Sequence, residues 1–192
     1  TVYLAFMDLS SAFDRVNRDK LWTVLGSIQV EMDIIYLLRD LHQNLTATVR
    51  YGEGGECMKH FRLIRGVCQG CILAPFLFTL YINSLDRALL SQTTDSPRVG
   101  SLVIPALLYA DDAVLMSRTA LGLQKLIDRF VKFMGDLDLR TNFSKSHVMV
   151  VGRKSTKSRR FCVDTHILSK VDSFPYLGIH FDQNCSRNQL LQ

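Results

Sequence analysis

LLYADDAVLM, residues 107–116, sets two adjacent aspartates, Asp111 and Asp112, between two apolar stretches. A carboxylate flanked by strand-forming residues is costly to desolvate unless it is paired or coordinates a cation, so the pair marks either a sharp solvated turn or a metal site. The flanking pattern predicts a strand, a tight turn and a second strand, with both carboxylates at the tip of the hairpin.

A third carboxylate belongs with them. TVYLAFMDL, residues 1–9, alternates, with Val2, Leu4, Phe6 and Asp8 on one side of a strand and Tyr3, Ala5 and Met7 on the other. Asp8 thus ends its strand. A sheet that lays this strand beside the hairpin brings three carboxylates together, and their repulsion raises at least one pKa unless cations intervene. Two divalent ions turn that repulsion into coordination, about 3.5–4 Å apart, the spacing that serves phosphoryl transfer. Oxygen-only ligands suit Mg²⁺, which accepts substrate phosphates as further ligands.

The 192 residues are 47% hydrophobic and 9% aromatic, enough for a real core. The chain opens on Thr1 with strand-like sequence, which suggests a piece of a longer protein. The longest charge-free apolar stretch, about Ile72 to Ile82, is too short to span a bilayer, and no signal peptide leads the chain, so the expectation is a soluble intracellular protein. Twenty-three Lys and Arg against eighteen Asp and Glu favour a polyanionic partner. Five irregularly spaced cysteines do not form a disulfide framework and fit a reducing compartment.

Between these landmarks the chain reads as mixed. Ser11 with Asp14 fits a capping box opening a helix that carries Phe13, Val16, Leu21, Leu25 and Ile28 inward. A second helix spans about Glu31 to His42, with Ile34, Ile35, Leu38 and Leu41 inward. LTATVRYGEGGECMKHFRLIRG, 45–66, reads as a hairpin of Thr46–Tyr51 with Cys57–Ile64. Its GEGG is a turn, since no Lys-Ser/Thr follows to make a phosphate loop. Helical spacing runs from Leu73 to Leu90 and from about Thr119 to Leu137, with a loop at 91–101 between them. Strands are expected at His147–Val151, Phe161–Val163 and Tyr176–Phe181. This order predicts an α+β domain with helices packed on one face of an antiparallel sheet.

The chain resembles the reverse transcriptases, in the style of non-LTR retrotransposons with group II intron enzymes as near relatives. AFMDLSSAFDRV looks like motif A, RGVCQGCILAPFLFTLYINSL like motif B, YADD like motif C, TNFSKSHVM like motif D and FPYLG like motif E, in that order. The resemblance implies a polymerase palm with part of the fingers over 1–192, the upstream fingers and downstream thumb being absent. It also implies RNA-directed DNA polymerase activity on an RNA template, a DNA primer and deoxynucleoside triphosphates, with two Mg²⁺ ions, Mn²⁺ as a substitute, and a nuclear location for a retrotransposon enzyme.

Position by position, the resemblance assigns Asp8 and Asp111 to metal binding with Asp112 beside them, and adds the Leu9 carbonyl. Phe13 takes the place of the aromatic that excludes a ribose 2′-hydroxyl. Gln69 and Gly70 border the nucleotide and template. Lys145 matches the lysine that protonates pyrophosphate, and Tyr176, Leu177 and Gly178 match the primer grip. Cys68 departs from the usual proline of motif B, Ala74 from a usual serine, and Pro105 falls where the first strand of the motif C hairpin begins or where the sheet has an edge. Cys57-x-x-His60 and Cys68-x-x-Cys71 have zinc-like spacing, but packing and substrate-facing roles are expected of them. RKSTKSRR, 153–160, is a solvated loop, a backbone contact or a localisation signal. The competing class is a domesticated palm that binds nucleic acid without polymerising, which would have no use for three mutually repelling carboxylates.

Overall fold

The computed structural model describes residues 1–51, 56–57, 60–68, 70–90, 95–152, 159–163 and 165–184. It divides into two compact units, Thr1–Ser10 with 84–192, and Ser11–Asn83.

The first unit is built on a five-stranded sheet in the order Ser169–Lys170, His147–Val151, Val2–Met7, Asp112–Ser117, Ala106–Tyr109. Val2–Met7 lies at its centre, antiparallel to both neighbours, with Phe6 opposite His147 on one side and Val114 on the other. The sheet is not wholly antiparallel, since Ser169–Lys170 runs parallel to His147–Val151. Period-two alternation sorts the central side chains into two faces. Ala5, Met7, Ala113, Leu115 and Val148 form one buried face, against which the helix Ala120–Asp136 packs. That helix presents Leu123, Leu126, Ile127, Phe130 and Met134 inward, and its N-cap Thr119 accepts from the Gly122 N–H at 3.0 Å. The shorter helix Leu85–Leu90 packs on it in turn.

Phe6, Val114 and Met149 make the core of the opposite face. Phe174 and Tyr176 cover it from the hairpin Ser173–Tyr176/Ile179–Asp182, with the Phe174 ring stacked on Phe6 at 4.2 Å. An aromatic pair of this kind adds about 0.5–1.5 kcal/mol beyond the area it buries. The strand expected at Tyr176–Phe181 is thus broken by a two-residue turn at Leu177–Gly178. Both turn residues have positive φ, 50° and 78°, as a hairpin of the primed type requires. Pro105 immediately precedes the edge strand Ala106–Tyr109, and its carbonyl still accepts the Met116 N–H at 2.7 Å. The missing N–H of proline is harmless at that place.

The second unit carries the helices Arg18–Ser27, Met32–Gln43 and Leu73–Tyr81. The single helix expected from Ser11 is two pieces. A one-turn segment, Ala12–Arg15, has Ser11 at φ 48° with no side-chain cap, and the real cap is Asn17, which accepts from the Asp19 and Lys20 N–H groups. Helical periodicity from 73 to 90 also overran a break, because Leu73–Tyr81 ends in a turn before Leu85. The hairpin forms as Thr46–Ala47 with Phe61–Arg62 and Arg50–Tyr51 with Glu56–Cys57, its register slipping by one residue between the two ladders. The GEGG tip lies outside the described residues, as do Gln69 and most of the 153–160 run. Gly66, at φ +85°, lies against the Asp14 backbone, where an added Cβ would sit 2.8 Å from the Asp14 Cα. Any other residue there is both strained and clashing. No helix among the described residues is long and apolar enough to cross a membrane.

Candidate active site

Three aspartates meet where the central strands end. Extending the Val2–Met7/Asp112–Ser117 register one step past Met7 and Ala113 sets Asp8 opposite Asp112, on the face of Phe6 and Val114. Asp111 occupies the turn, with Tyr109 paired to Asp112 across it and Ala110 at φ 51°. A non-glycine residue at positive φ stores backbone strain, and such strain clusters at functional sites.

The backbone of Asp8 is held from both sides. Its N–H donates to the buried Ser146 hydroxyl at 3.1 Å, and its carbonyl accepts from the Asn142 N–H at 2.8 Å. The Ser146 hydroxyl donates to the Asn142 carbonyl at 2.8 Å. Leu9 bridges to Thr141, with the outer hydrogen bonds made by Ser10 to Arg140 and Asn142 to Asp8. That pairing leaves the Leu9 carbonyl outside the ladder.

Asp8 and Asp112 line a cavity of about 290 Å³ with Lys145, His147, Phe174 and Tyr176. Burial, then the charges of Asp111 and Asp8, push the Asp112 carboxyl above its usual range. Burial and the Asp112 charge likewise raise Tyr176, so its phenol stays protonated beside the carboxylates. Among the described residues no group of three or more His, Cys, Asp or Glu side chains stands close enough together to hold a metal ion. The three aspartates instead lie within electrostatic reach of one another, an all-oxygen donor set whose mutual repulsion a hard divalent cation would relieve.

The sign of that repulsion is testable without activity. The folded state binds the Asp112 proton more tightly than the unfolded chain, so without divalent ions stability falls as pH rises from the usual 3.8 through the raised value. Above that window Asp112→Asn should melt higher than wild type in EDTA. Solvent screening holds the gain below about 1 kcal/mol, or roughly 2–4 °C at most in a chain of this size. An unchanged or lower melting temperature would show that the aspartates do not repel.

The remaining expected residues fall in both units. Lys145, Tyr176 and Asp8 share the cavity, whereas Asp111 is not part of its lining. Leu177 is half-exposed at positive φ in the turn beside Tyr176. In the other unit the Phe13 ring packs on Phe78 at 4.9 Å, and its carbonyl accepts from the Val67 N–H at 3.0 Å. This joins the motif A turn to the start of motif B. Gly70, at φ +84°, sits in the turn closed by the Cys71 N–H on the Cys68 carbonyl at 3.1 Å. Neither Cys68 nor Cys71 is in a disulfide. Ser146 and His147 were not anticipated, although both stand in TNFSKSHVM; a small polar residue fully buried at a strand's start has no hydrophobic periodicity to announce it.

A helix-backed sheet with facing aspartates at the ends of adjacent strands is the architecture of a polymerase palm. The chain belongs to the reverse transcriptase (RNA-dependent DNA polymerase) family, which it matches over residues 1–181. It is 29% identical over 190 residues to the retrovirus-related Pol polyprotein from type-2 retrotransposable element R2DM of Drosophila melanogaster, covering 93% of this chain and 17% of that protein. It is 26% identical to the corresponding polyprotein of type-1 element R2 from Bradysia coprophila, covering 93% and 21%. The chain therefore spans about a fifth of the length of these relatives. Its fold is similar to that of apo telomerase from Candida tropicalis truncated from the C-terminal domain, with TM-score 0.64 at 16% identity over 96% of this chain and 34% of that one. It is also similar to telomerase from Candida albicans in complex with a fragment of telomeric RNA, with TM-score 0.53 at 12% identity over 95% and 29%.

Proposed function

We propose that this chain is the polymerising core of an RNA-directed DNA polymerase, a palm with part of the fingers, which extends a DNA primer on an RNA template from deoxynucleoside triphosphates. The observation that carries the reading is the meeting of Asp8, Asp111 and Asp112, close enough for two of them to raise the third. Asp8, Asp111 and Asp112, with the Leu9 carbonyl, would hold two Mg²⁺ ions or Mn²⁺ in their place. Bound there, they would supply activation of the primer 3′-hydroxyl toward the α-phosphate and charge neutralisation for the pyrophosphate that leaves.

The chain's own groups do the rest. Lys145, in the same cavity, supplies a proton or positive charge to the leaving group. Tyr176, Leu177 and Gly178 hold the primer end, the strained turn presenting its exposed leucine. Phe13 closes the space beside the sugar, and Gln69 and Gly70 border the nucleotide and template. A nuclear location fits an element that copies itself into chromosomal DNA.

The test is extension of a labelled DNA primer annealed to an RNA template by protein carrying this chain. Deoxynucleotide incorporation that needs a divalent ion is expected. Tight binding of the hybrid with no extension would instead support a nucleic-acid-binding palm.

A further inference from the structure

The Ser11–Asn83 unit holds an open cavity of about 620 Å³, none of whose lining residues belongs to the carboxylate cavity. Four arginines line it, Arg18, Arg39, Arg62 and Arg65, against two aspartates, Asp19 and Asp40. Two of the arginines are committed to the fold. Arg18 donates to the carbonyls of His42 at 2.7 Å, Gly66 at 2.8 Å, Leu63 at 2.9 Å and Arg65 at 3.2 Å, which ties two helices to the segment 63–66 that leads into motif B. Arg62 donates to the Gln43 carbonyl at 2.9 Å. Burial and then the neighbouring Arg62 charge hold Arg18 below its ordinary range, so the groove already concentrates positive charge.

Arg39 and Arg65 are different. Among the described residues neither guanidinium makes a hydrogen bond or an ion pair, and Asp19 and Asp40 neutralise neither. Both guanidinia are available for an anion. Tyr36 stands one helical turn before Arg39 and Asp40 on the same face and is 53% exposed. Trp22 adds an edge at the cavity wall, its own ring set against His42 at 5.8 Å. A free phosphate would use the arginines and leave the tyrosine bare. A duplex would use the arginines and keep its bases stacked inside. An unpaired strand uses both, because every nucleotide offers a phosphate and a π-face.

We propose that this groove binds a single-stranded nucleic acid, its phosphates on Arg39 and Arg65 and a base stacked on Tyr36. The assignment uses no residue of the carboxylate site, so the two readings stand or fall separately.

The test is fluorescence anisotropy with fluorescein-labelled U12 RNA and dT12 DNA over a salt series, with melting curves confirming that each variant is folded. Tyr36→Leu should weaken binding by about 5- to 100-fold through lost stacking. Arg39→Gln should lower the slope of log K against log salt by about 0.7, one phosphate contact, while Arg39→Lys keeps it. Photocrosslinking with 4-thiouridine in U12 should map to the peptides that hold Tyr36 or Trp22. Preference for U12 over dT12 would name RNA as the source, and equal binding would leave the shared phosphate and base chemistry as the determinant. Wild-type affinity and slope in both variants, with crosslinks mapping elsewhere, would overturn the proposal. Displacement by polyglutamate as efficient as by U12, with Tyr36→Leu silent, would overturn it in favour of an acidic protein partner.

Discussion

Asp111→Asn should reduce RNA-templated primer extension by about 10³-fold or more while RNA binding stays within a few-fold of wild type. The substitution keeps the shape of the side chain and removes one of three charges from a site whose purpose, on this account, is to hold two cations. A correctly placed ion contributes several kcal/mol to the transition state, and about 4 kcal/mol corresponds to roughly 10³ in rate. Binding draws on phosphate contacts elsewhere on a basic chain and has no need of the carboxylate. The turn should survive as well, since Asn tolerates loop conformations at least as well as Asp. Single-turnover extension alongside a filter-binding assay separates the two quantities, and extension within a few-fold of wild type would remove Asp111 from the reaction.

Phe13→Val is expected to act on selectivity more than on rate. Phe13 follows Asp8 by five residues in the chain, and its backbone is bonded to Val67 next to the motif B turn. If the ring excludes a 2′-hydroxyl by volume, as proposed, it supplies a few kcal/mol, on the order of 10²- to 10³-fold in discrimination. The packing of Phe13 on buried Phe78 offers a plainer role. If that is all it does, truncation should cost about 1–3 kcal/mol of stability and depress both activities together. Single-nucleotide kinetics with matched deoxy and ribo substrates, set beside a melting curve, decide the matter. An unchanged selectivity ratio in a destabilised protein keeps Phe13 in the core and ends its role as a gate.

The carboxylate site was legible because two simple periodicities converge on it. Alternation placed Asp8 on the face of Phe6, and the apolar flanks of Asp111 and Asp112 demanded a hairpin; the observed register then needed only to pair the two strands. Helix boundaries were less legible. Phe13 with Val16 and Leu21 with Leu25 each keep helical spacing on either side of Asn17, so the hydrophobic pattern is blind to the cap that restarts the helix there. The same blindness joined Leu73–Tyr81 to Leu85–Leu90. In the helix Met32–Gln43 Ile35 and Leu38 are buried as expected and His42 joins them, but Ile34 and Leu41, also expected inward, are about half exposed. Too many apolar residues on one short helix leave its orientation undetermined by pattern alone. Leu177 concealed a turn, since leucine is a poor choice for positive φ and nothing local announces it. Ser146, which orients Asp8 from 138 residues away in sequence, is visible only once the strands are paired.

Whether Asp8, Asp111 and Asp112 form a site for divalent cations is decided by melting the protein during a Mg²⁺ or Mn²⁺ titration, wild type beside Asp8→Asn/Asp112→Asn. Wild type should begin less stable than the double variant in EDTA and gain stability with rising cation, by an amount that follows the logarithm of concentration once the site fills. The double variant should not respond. A wild-type curve indifferent to either ion, or a double variant that gains as much, would contradict such a site.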